Sequence, residues 1–435
     1  MMSLFALSLG ICILALTGDS TRFDIFVSLT LLLFTIAFVF DISKSKKMNK
    51  YSAPIFSGYF LRIVLLFYDV YSSDPLHLPL VGGELSSDPL NFYNAAVSYS
   101  MGNSIRYGGY FSKLLGKIFS ITGASRLWGE SIVMLFSVAT VLVLVTIVEE
   151  LETPLIDKKK GVYLISLLPN YAFLSVVLRR ETLITFFVSL SILFFIRWFK
   201  NTDGERAFLL SIIFALMASL FHGATGMIVA SYIMVRILYS PKKKAYTLDL
   251  KNIIGAALFA ALIMFIYGRF GTVFFGKIER MMNADAYSIT RDAGGSSYAK
   301  YVGDSRTPIR MLIFAVPRFM YYMFSPFPWQ WRGINDIITF LFSSCVYLFI
   351  IINTIRYITR IEKDDENRKL LIALLIIGLV TASIFSWGVT NTGTATRHRD
   401  KFIVLFTIMF TLSKSLMIKN SAHNNSISGS GVKNE

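Results

Sequence analysis

Charged residues are scarce in this chain of 435 amino acids. They make up 16% of the sequence, against about 25% in an average soluble domain, whereas hydrophobic residues make up 54%. This balance excludes an ordinary soluble globular protein and indicates a polytopic membrane protein.

Other features that would indicate a particular chemistry are also missing. Cys12 and Cys345 lie in apolar runs and have neither a pairing partner nor the spacing of metal ligands, so they predict no disulfide and no metal site. The sequence contains no P-loop and no Rossmann glycine motif, so we expect no nucleotide cofactor. The start, MMSLFALSLGICILALTG, lacks the basic region and cleavage site of a secretory signal and predicts a retained first span.

Apolar runs close to the ~20 residues that cross a bilayer predict an all-α transmembrane bundle of about 12 spans. The runs are 3–18, 23–42, 52–71, 127–148, 161–178, 182–199, 207–222, 224–240, 252–270, 336–356, 369–388 and 401–418. A further apolar stretch, 309–325, contains Pro317 and Arg318 and is expected to be interfacial or re-entrant. Residues 1–418 thus form one integral membrane domain, and the polar residues 419–435 form a disordered cytoplasmic tail.

The net charge of +16 would suit a nucleic-acid partner, but no basic helix or domain outside the apolar segments could carry such binding. Lys and Arg instead cluster in alternate loops. The clusters lie around 44–50, 158–160, 197–206, 242–244, 356–369 and 414–419. The positive-inside rule places all of them, together with both termini, in the cytoplasm.

The same topology places the remaining polar segments on the extracytoplasmic face. These are the loops 72–126 and 271–335, RRE at 179–181, HGATG at 222–226 and NTGTATRHRDK at 391–401. The positive-inside rule disfavours basic residues on this face, so their presence requires another explanation. Binding of an anion at the membrane surface is one such explanation.

The pentapeptide SSDPL occurs twice in or beside the loop 72–126, and each copy could simply start a helix with Asp as N-cap and Pro at N1. Asp88 differs from Asp74 because Tyr93 and Arg106 follow it closely in the chain. A carboxylate beside aromatic rings and guanidinium groups could take a proton from a hydroxyl group or orient it. For Asp88 both capping and catalysis remain open, whereas Asp74 fits capping.

Arg179, Arg180 and Glu181 fill the turn between two short predicted spans. A self-neutralised Arg–Glu cluster is one interpretation, but two guanidinium groups exceed the need of one carboxylate. The surplus suits a pyrophosphate, because Arg donates bidentate hydrogen bonds to phosphate oxygens.

The group around Arg397, Arg399 and Lys401 is the densest cluster of charge on the extracytoplasmic face. A phosphate clamp and plain anchoring to lipid headgroups both explain it. His222 could contact a substrate or merely end a helix at the interface. The loop 271–335 could close over a hydroxyl-rich ligand or be a simple connector, and its SPFPWQW segment is typical of an interfacial anchor.

Several of these segments resemble, in chain order, a family of bacterial membrane proteins of surface polysaccharide assembly. They are DPLNFYNAA, LPNYAFLSVVLRRETLI, FHGAT, SPFPWQ and GTATRHRDK, spread from about residue 60 to 405. The pattern looks like O-antigen or capsule repeat-unit polymerases of the Wzy type, and it is similar to that of lipid-linked glycosyltransferases of the GT-C class.

This resemblance implies a membrane glycosyltransferase of the bacterial inner membrane that joins undecaprenyl diphosphate-linked oligosaccharides, with a chain-length regulator and a flippase as partners. The catalytic residues would be Asp88, which handles the acceptor hydroxyl, and two arginines that stabilise the diphosphate, Arg180 and Arg399. The remaining candidates would bind substrate: Arg179, Arg397, Lys401, Tyr93, Arg106 and His222. No cofactor is implied.

Two alternatives remain open. The first is a GT-C-type transferase that adds a single sugar, and the second is a flippase for the lipid-linked oligosaccharide. A flippase would be expected to show two related halves with broken spans and charges at mid-membrane. The sequence shows no internal repeat, and its unusual charges are predicted at one face, which favours the enzymes.

Overall fold

The computed structural model describes residues 1–18, 22–72, 87–247, 250, 252, 254–255, 257, 297–302 and 308–413. Within these residues the chain is almost entirely helical, with one antiparallel hairpin of two short strands, β1 (Tyr239–Ser240) and β2 (Ala245–Tyr246). The predicted all-α membrane protein is confirmed. Asp74, most of the run 252–270, residues 271–296 and 303–307 of the loop 271–335, and the tail 419–435 lie outside the described residues.

The described residues form eighteen α-helices. They are α1 (Met2–Thr17), α2 (Phe23–Lys44), α3 (Ser52–Tyr71), α4 (Ser87–Ser100), α5 (Gly109–Thr122), α6 (Arg126–Glu149), α7 (Leu155–Leu167), α8 (Pro169–Leu174), α9 (Glu181–Phe199), α10 (Gly204–Phe221), α11 (Met227–Leu238), α12 (Ala299–Val302), α13 (Pro308–Phe324), α14 (Ile334–Thr339), α15 (Cys345–Arg360), α16 (Glu366–Trp387), α17 (Thr392–Asp400) and α18 (Ile403–Ser413). A single π-turn, Phe340–Ser344, joins α14 and α15 into one continuous helix.

Seven of the described helices are long and apolar enough to cross a bilayer. They are Phe23–Lys44, Met48–Tyr71, Arg126–Glu149, Glu181–Phe199, Gly204–Phe221, Ile334–Arg360 and Glu366–Trp387. Three shorter apolar helices match further predicted runs: Met2–Thr17, Gly223–Leu238 and Ile403–Ser413. Of the two remaining predicted runs, 161–178 is divided between α7 and α8, and 252–270 lies almost wholly outside the described residues.

Five of the six basic clusters meet at one end of the bundle, which we call the basic end, and the sixth, 414–419, lies outside the described residues. Glu149 and Glu150, at the end of α6, connect three of these clusters. Glu149 binds Lys50 at 3.5 Å, and its backbone carbonyl accepts a hydrogen bond from Lys158. Glu150 binds Arg197 at 2.7 Å. Two further contacts add the β-hairpin and the start of α16: Lys244 to Glu366 and Asn367 to the carbonyl of Glu152. Loops far apart in sequence therefore share one surface, as the positive-inside pattern predicts.

The opposite end of the bundle, which we call the site end, carries the other polar segments. Asp41 at the end of α2 binds the amino group of Met1, whereas Asp24 at its start accepts a hydrogen bond from Tyr71 at the end of α3. The two ends of α2 are about 33 Å apart at 1.5 Å per residue, close to the ~30 Å of a hydrocarbon core. Helices α4 and α5 lie together at the site end. The sequence patterns do not predict α5.

Helix α13, in the stretch expected to be interfacial or re-entrant, is not among the seven candidate spans. It ends beside the middle of the helix Ile334–Arg360, where Ser344 donates a hydrogen bond to the carbonyl of Ser325 at 2.8 Å. Ser344 lies about 15 Å along that helix from Ile334 at the usual rise. Helix α13 therefore ends inside the bundle, beside the middle of the helix Ile334–Arg360. The chain then runs back along that helix to the site end.

Arg62, inside α3, is buried and stabilises the break between α7 and α8. Pro169 has no N–H, so the carbonyl of Ile165 cannot receive its usual helical hydrogen bond. The Arg62 guanidinium donates to this carbonyl at 3.4 Å and to that of Ser166 at 2.8 Å, and it also binds Ser137. A break in a helix inside a membrane protein requires internal hydrogen-bond donors for the freed carbonyls, and Arg62 supplies them. This position is away from Asp88.

We expect Arg62→Leu to lower the amount of folded protein in the membrane. The substitution leaves two buried carbonyls without a donor, and each such loss costs about 1–3 kcal/mol. The measurement is the membrane level together with the melting temperature in detergent. Lys113→Leu, which removes a charge from an exposed position on α5, is the control and should leave both unchanged. Wild-type values for Arg62→Leu would contradict this structural role.

Candidate active site

The short helix α17 lies at the centre of the site end, where it contacts α8, α9, α13 and α16. It begins after Asn391, whose side chain caps it by accepting a hydrogen bond from the N–H of Thr394 at 3.1 Å. Its sequence, TGTATRHRD, is polar, yet most of its residues are buried. A polar helix in this position directs several charged groups into the protein rather than into water.

Asp88 and Arg397 form an ion pair at the site end, although 309 positions separate them in the chain. Arg397 Nη1 lies 3.0 Å from Asp88 Oδ2, and Arg397 Nη2 donates to Thr394 Oγ1 at 3.2 Å. The hydroxyl of Tyr107 donates to the other carboxylate oxygen, Oδ1. Asp88 lies in the first turn of α4, which begins at Ser87, so the partial positive charge of the helix start also favours its ionised form.

Two glycines bring Tyr107 to Asp88. Gly108 and Gly109 have φ angles of +80° and +54°, which form a tight turn before α5 that other residues adopt at a cost. A Cβ atom on Gly108 would lie 1.9 Å from the hydroxyl oxygen of Ser112. The turn places the Tyr107 ring 5.1 Å from Phe92, one helical turn after Asp88 on α4.

The groups around Asp88 determine whether its carboxyl group is ionised. Burial alone would raise its pKa, but the hydrogen bond from Tyr107 and the charges of Arg397 and Arg179 together lower the pKa below its ordinary value. Burial and the nearby Asp88 carboxylate raise the pKa of Tyr107 to about 12. At neutral pH Asp88 is therefore ionised and Tyr107 is protonated.

Arg179 is fully buried in the segment between α8 and α9, close to this ion pair. Burial, followed by the charge of Arg397, lowers the pKa of Arg179 to about 10, although Glu181 and Asp88 partly oppose the shift. The neighbouring Arg180 is half-buried, and its guanidinium lies 6.0 Å from the ring of Phe92. Both arginines predicted from the RRE motif thus lie near Asp88.

Charged side chains from distant segments gather around the Asp88–Arg397 pair. Arg179, Arg180, Arg397 and Lys401 interact electrostatically there with Asp88 and Glu181. Three of these four cations are guanidinium groups, which can donate paired hydrogen bonds to phosphate oxygens.

Lys401 and His222 lie beside α17 around the ring of Phe385. Lys401 is fully buried, with its amino group 5.8 Å from this ring. His222 stacks on the same ring at 5.6 Å and meets His398 edge-on at 4.8 Å. In the described residues, no group of three or more His, Cys, Asp or Glu side chains could hold a metal ion.

Arg399 has a different environment from Arg397. It is buried, and its guanidinium donates to the carbonyls of Met323 and Ser325 and to the hydroxyl of Thr396. These carbonyls belong to the end of α13, where Pro326 interrupts the helix. Arg399 therefore caps a buried helix end, as Arg62 does for α7, and it holds the end of α13 against α17.

Two further predicted candidates, Tyr93 and Arg106, have surroundings of their own. Tyr93 is half-buried and packs edge-on against Phe119 at 6.0 Å, whereas the neighbouring Phe92 faces Tyr107. Arg106 is exposed at the start of the glycine turn.

Tyr107 is the contact of Asp88 that the predicted residues omit. The signal that could have found it is the RYGGY sequence, because consecutive glycines often mark a turn that holds its neighbour in a fixed position. His398, which meets His222, is also absent from the predicted set, and the sequence carries no signal for that long-range pair.

No family model matches the sequence, and no curated protein matches it either. Among solved structures, the chain aligns with the apo crystal structure of the oligosaccharyltransferase of Archaeoglobus fulgidus. The alignment has 15% identity and a TM-score of 0.49, and it covers 90% of this chain and 53% of that one. This chain thus spans about half the length of that protein.

Proposed function

We propose that this protein is a membrane glycosyltransferase that moves an oligosaccharide from a polyprenyl diphosphate carrier to an acceptor hydroxyl. The observation that carries the proposal is the gathering of three guanidinium groups, those of Arg179, Arg180 and Arg397, near the Asp88 and Glu181 carboxylates. A diphosphate diester carries two negative charges, and its oxygens accept the paired hydrogen bonds that guanidinium groups donate.

The basic end of the bundle faces the cytoplasm in this proposal, because Lys and Arg are retained there during membrane insertion. Both termini then lie inside the cell, and the site end faces the other side of the bacterial inner membrane. A carrier lipid in the bilayer would present its diphosphate at that surface, and the bilayer itself is the second partner.

The reaction follows from the placement of these charges. The acceptor hydroxyl oxygen attacks the anomeric carbon of the donor sugar, and the bond from that carbon to the diphosphate oxygen breaks. The electron pair leaves with the diphosphate, whose growing charge is stabilised by Arg179, Arg180 and Arg397. Asp88 orients the hydroxyl and takes its proton as the new glycosidic bond forms.

Arg397 links the two halves of this mechanism. In the described structure it is paired with Asp88, which lowers the pKa of that carboxyl and makes it a weak base. A bound diphosphate would compete for the same guanidinium and weaken the pair. Asp88 would then become more basic when the donor is present, which couples donor binding to activation of the acceptor.

The finer assignment within this class is a repeat-unit polymerase of the O-antigen or capsule type, with a chain-length regulator and a flippase as pathway partners. The segments DPLNFYNAA, LRRET and GTATRHRDK support it, and they supply Asp88, Arg179, Arg180 and Arg397. A GT-C-type transferase of single sugars is the second candidate, because the same charges would serve any polyprenyl diphosphate donor.

The surface glycan of cells that lack this protein tests the proposal. A glycan reduced to one complete repeat unit is expected from loss of a polymerase, whereas a truncated unit would indicate a single-sugar transferase. Accumulation of complete lipid-linked units on the cytoplasmic side would indicate a flippase and overturn the enzyme proposal. An unchanged glycan would overturn all three. Restoration of long chains by the plasmid-borne protein is the control.

A further inference from the structure

Four aromatic side chains form a continuous run at the site end, which we call the aromatic run: Tyr301, Tyr321, Phe327 and Trp329. Tyr301 and Tyr321 are stacked, with ring centroids 5.3 Å apart, and Phe327 meets Tyr321 edge-on at 5.0 Å. Trp329 stacks on Phe327 at 4.8 Å and is 61% exposed. The run thus ends in an indole ring with a face open to a ligand.

The aromatic run is held rigidly. The indole N–H of Trp329 donates to the hydroxyl of Tyr321 at 3.2 Å, and the side chain of Gln330 accepts from the N–H of Phe327 at 2.8 Å. The side chains therefore keep their arrangement without a ligand, which lowers the entropic cost of binding one.

Contacts at both ends of α17 connect the aromatic run to the candidate active site. Before the helix, Tyr298, which lies 5.4 Å from the Tyr321 ring, donates its N–H to the carbonyl of Thr390 at 2.8 Å. At its other end, Arg399 donates to the carbonyl of Ser325, two residues before Phe327. The same short helix thus fixes the aromatic run and carries Arg397.

We propose that the aromatic run is a glycan subsite that stacks on a sugar ring of the substrate, an inference that rests on the proposed function. One face of a pyranose ring presents C–H groups, and the negative face of an aromatic ring attracts them. Hydroxyl groups at the edge of the same sugar can reach Gln330 and the Arg332–Asp336 pair beside the run. The diphosphate would lie at Arg397 and the glycan would extend toward Trp329.

A membrane anchor is the competing interpretation, because tryptophan is common at bilayer interfaces. An anchoring indole directs its N–H toward lipid headgroups, whereas the N–H of Trp329 is bonded to Tyr321 within the protein. An anchor also gains nothing from a fixed stack of rings. The hydrogen bonding and the stacking therefore favour a sugar ligand.

Direct binding tests this subsite independently of catalysis. The probe is the lipid-free oligosaccharide released by mild acid from the lipid-linked glycan of the producing cells, titrated onto the purified full-length protein by calorimetry. We expect Trp329→Leu to weaken binding about 3- to 10-fold and Trp329→Phe to bind nearly as the wild type. Tyr110→Leu, at an equally exposed aromatic of the site end, is the control and should bind normally.

Two outcomes would overturn the subsite. Equal binding by Trp329→Leu and the wild type would remove its support. Quenching of the Trp329 fluorescence by brominated lipid, measured against Trp329→Phe, would place the ring in the bilayer and indicate an anchor. Because Trp329 is largely exposed, an unchanged melting temperature should accompany the leucine variant. If the oligosaccharide binds through Trp329 but no transfer can be measured, the proposed function fails and the subsite stands.

Discussion

We expect Asp88→Asn to reduce glycan transfer by about 10²–10⁴-fold, the usual effect of losing a general base. Asparagine has nearly the same size and keeps a polar side chain in the first turn, so α4 should form normally. The substitution removes the negative charge that pairs with Arg397 and the oxygen that can take a proton from the acceptor. The measurement is the length of the glycan ladder, and the rate of transfer in membranes, at matched protein levels.

The second SSDPL copy supplies the control for this experiment. Asp74 stands in the same local sequence, and Asp74→Asn should give a nearly normal ladder if that copy only starts a helix. Near-wild-type ladders for both variants would show that neither aspartate acts as the base. The search for a base would then move to Glu181, to the loop 271–335, or to Asp69, which lies near the end of α3 and is paired with Arg126.

The pH dependence of transfer should reflect the charge on Asp88. Its pKa is lowered in the folded protein, so the ionised form persists below the pH at which an ordinary aspartate becomes protonated. Activity that depends on ionised Asp88 should therefore be retained through mildly acidic pH and decline only below the ordinary range of aspartate. The measured quantity is the rate of transfer at sub-saturating donor as a function of pH, because kcat/KM reports the pKa of the donor-free protein.

The sequence predicts the helical framework well because its signals are local. Runs of apolar residues identify ten of the described helices, and the lysine and arginine clusters identify the loops of the basic end. Each signal requires only neighbouring residues and the thickness of a bilayer. The break at Pro169 is also visible in the sequence, but the sequence does not indicate that Arg62, more than 100 positions earlier, stabilises it.

The candidate site is harder to predict because its contacts are long-range. Asp88 and Arg397 are separate candidates in the sequence, and only the folded chain joins them across 309 positions. Nothing in the sequence distinguishes Arg397 from Arg399, which lie two positions apart in α17. On a helix, however, side chains two positions apart point in different directions. Two residues turn the side chain by about 200°, so one arginine meets Asp88 and the other meets the end of α13.

We expect Arg397→Ala to reduce transfer about 10²–10³-fold, because it removes a donor to the leaving diphosphate and the partner of Asp88 together. Arg397→Lys should recover only part of the activity, since an ammonium group cannot reproduce two parallel hydrogen bonds to phosphate. The protein level should stay close to that of the wild type, because the side chain is only partly enclosed at the site end. Transfer is measured with purified lipid-linked donor over a range of donor concentrations.

Arg399→Ala is the matched variant, because it removes another guanidinium group two positions after Arg397 in α17. It leaves the carbonyls of Met323 and Ser325 without their charged donor, so we expect a lower membrane level and melting temperature. The ratio of activity to folded protein then separates the two arginines. A low ratio for Arg397→Ala with a higher ratio for Arg399→Ala supports a diphosphate contact at the first and a positioning role at the second. Full activity per molecule in Arg397→Ala would contradict the contact, because no other arginine of the described site hydrogen-bonds Asp88.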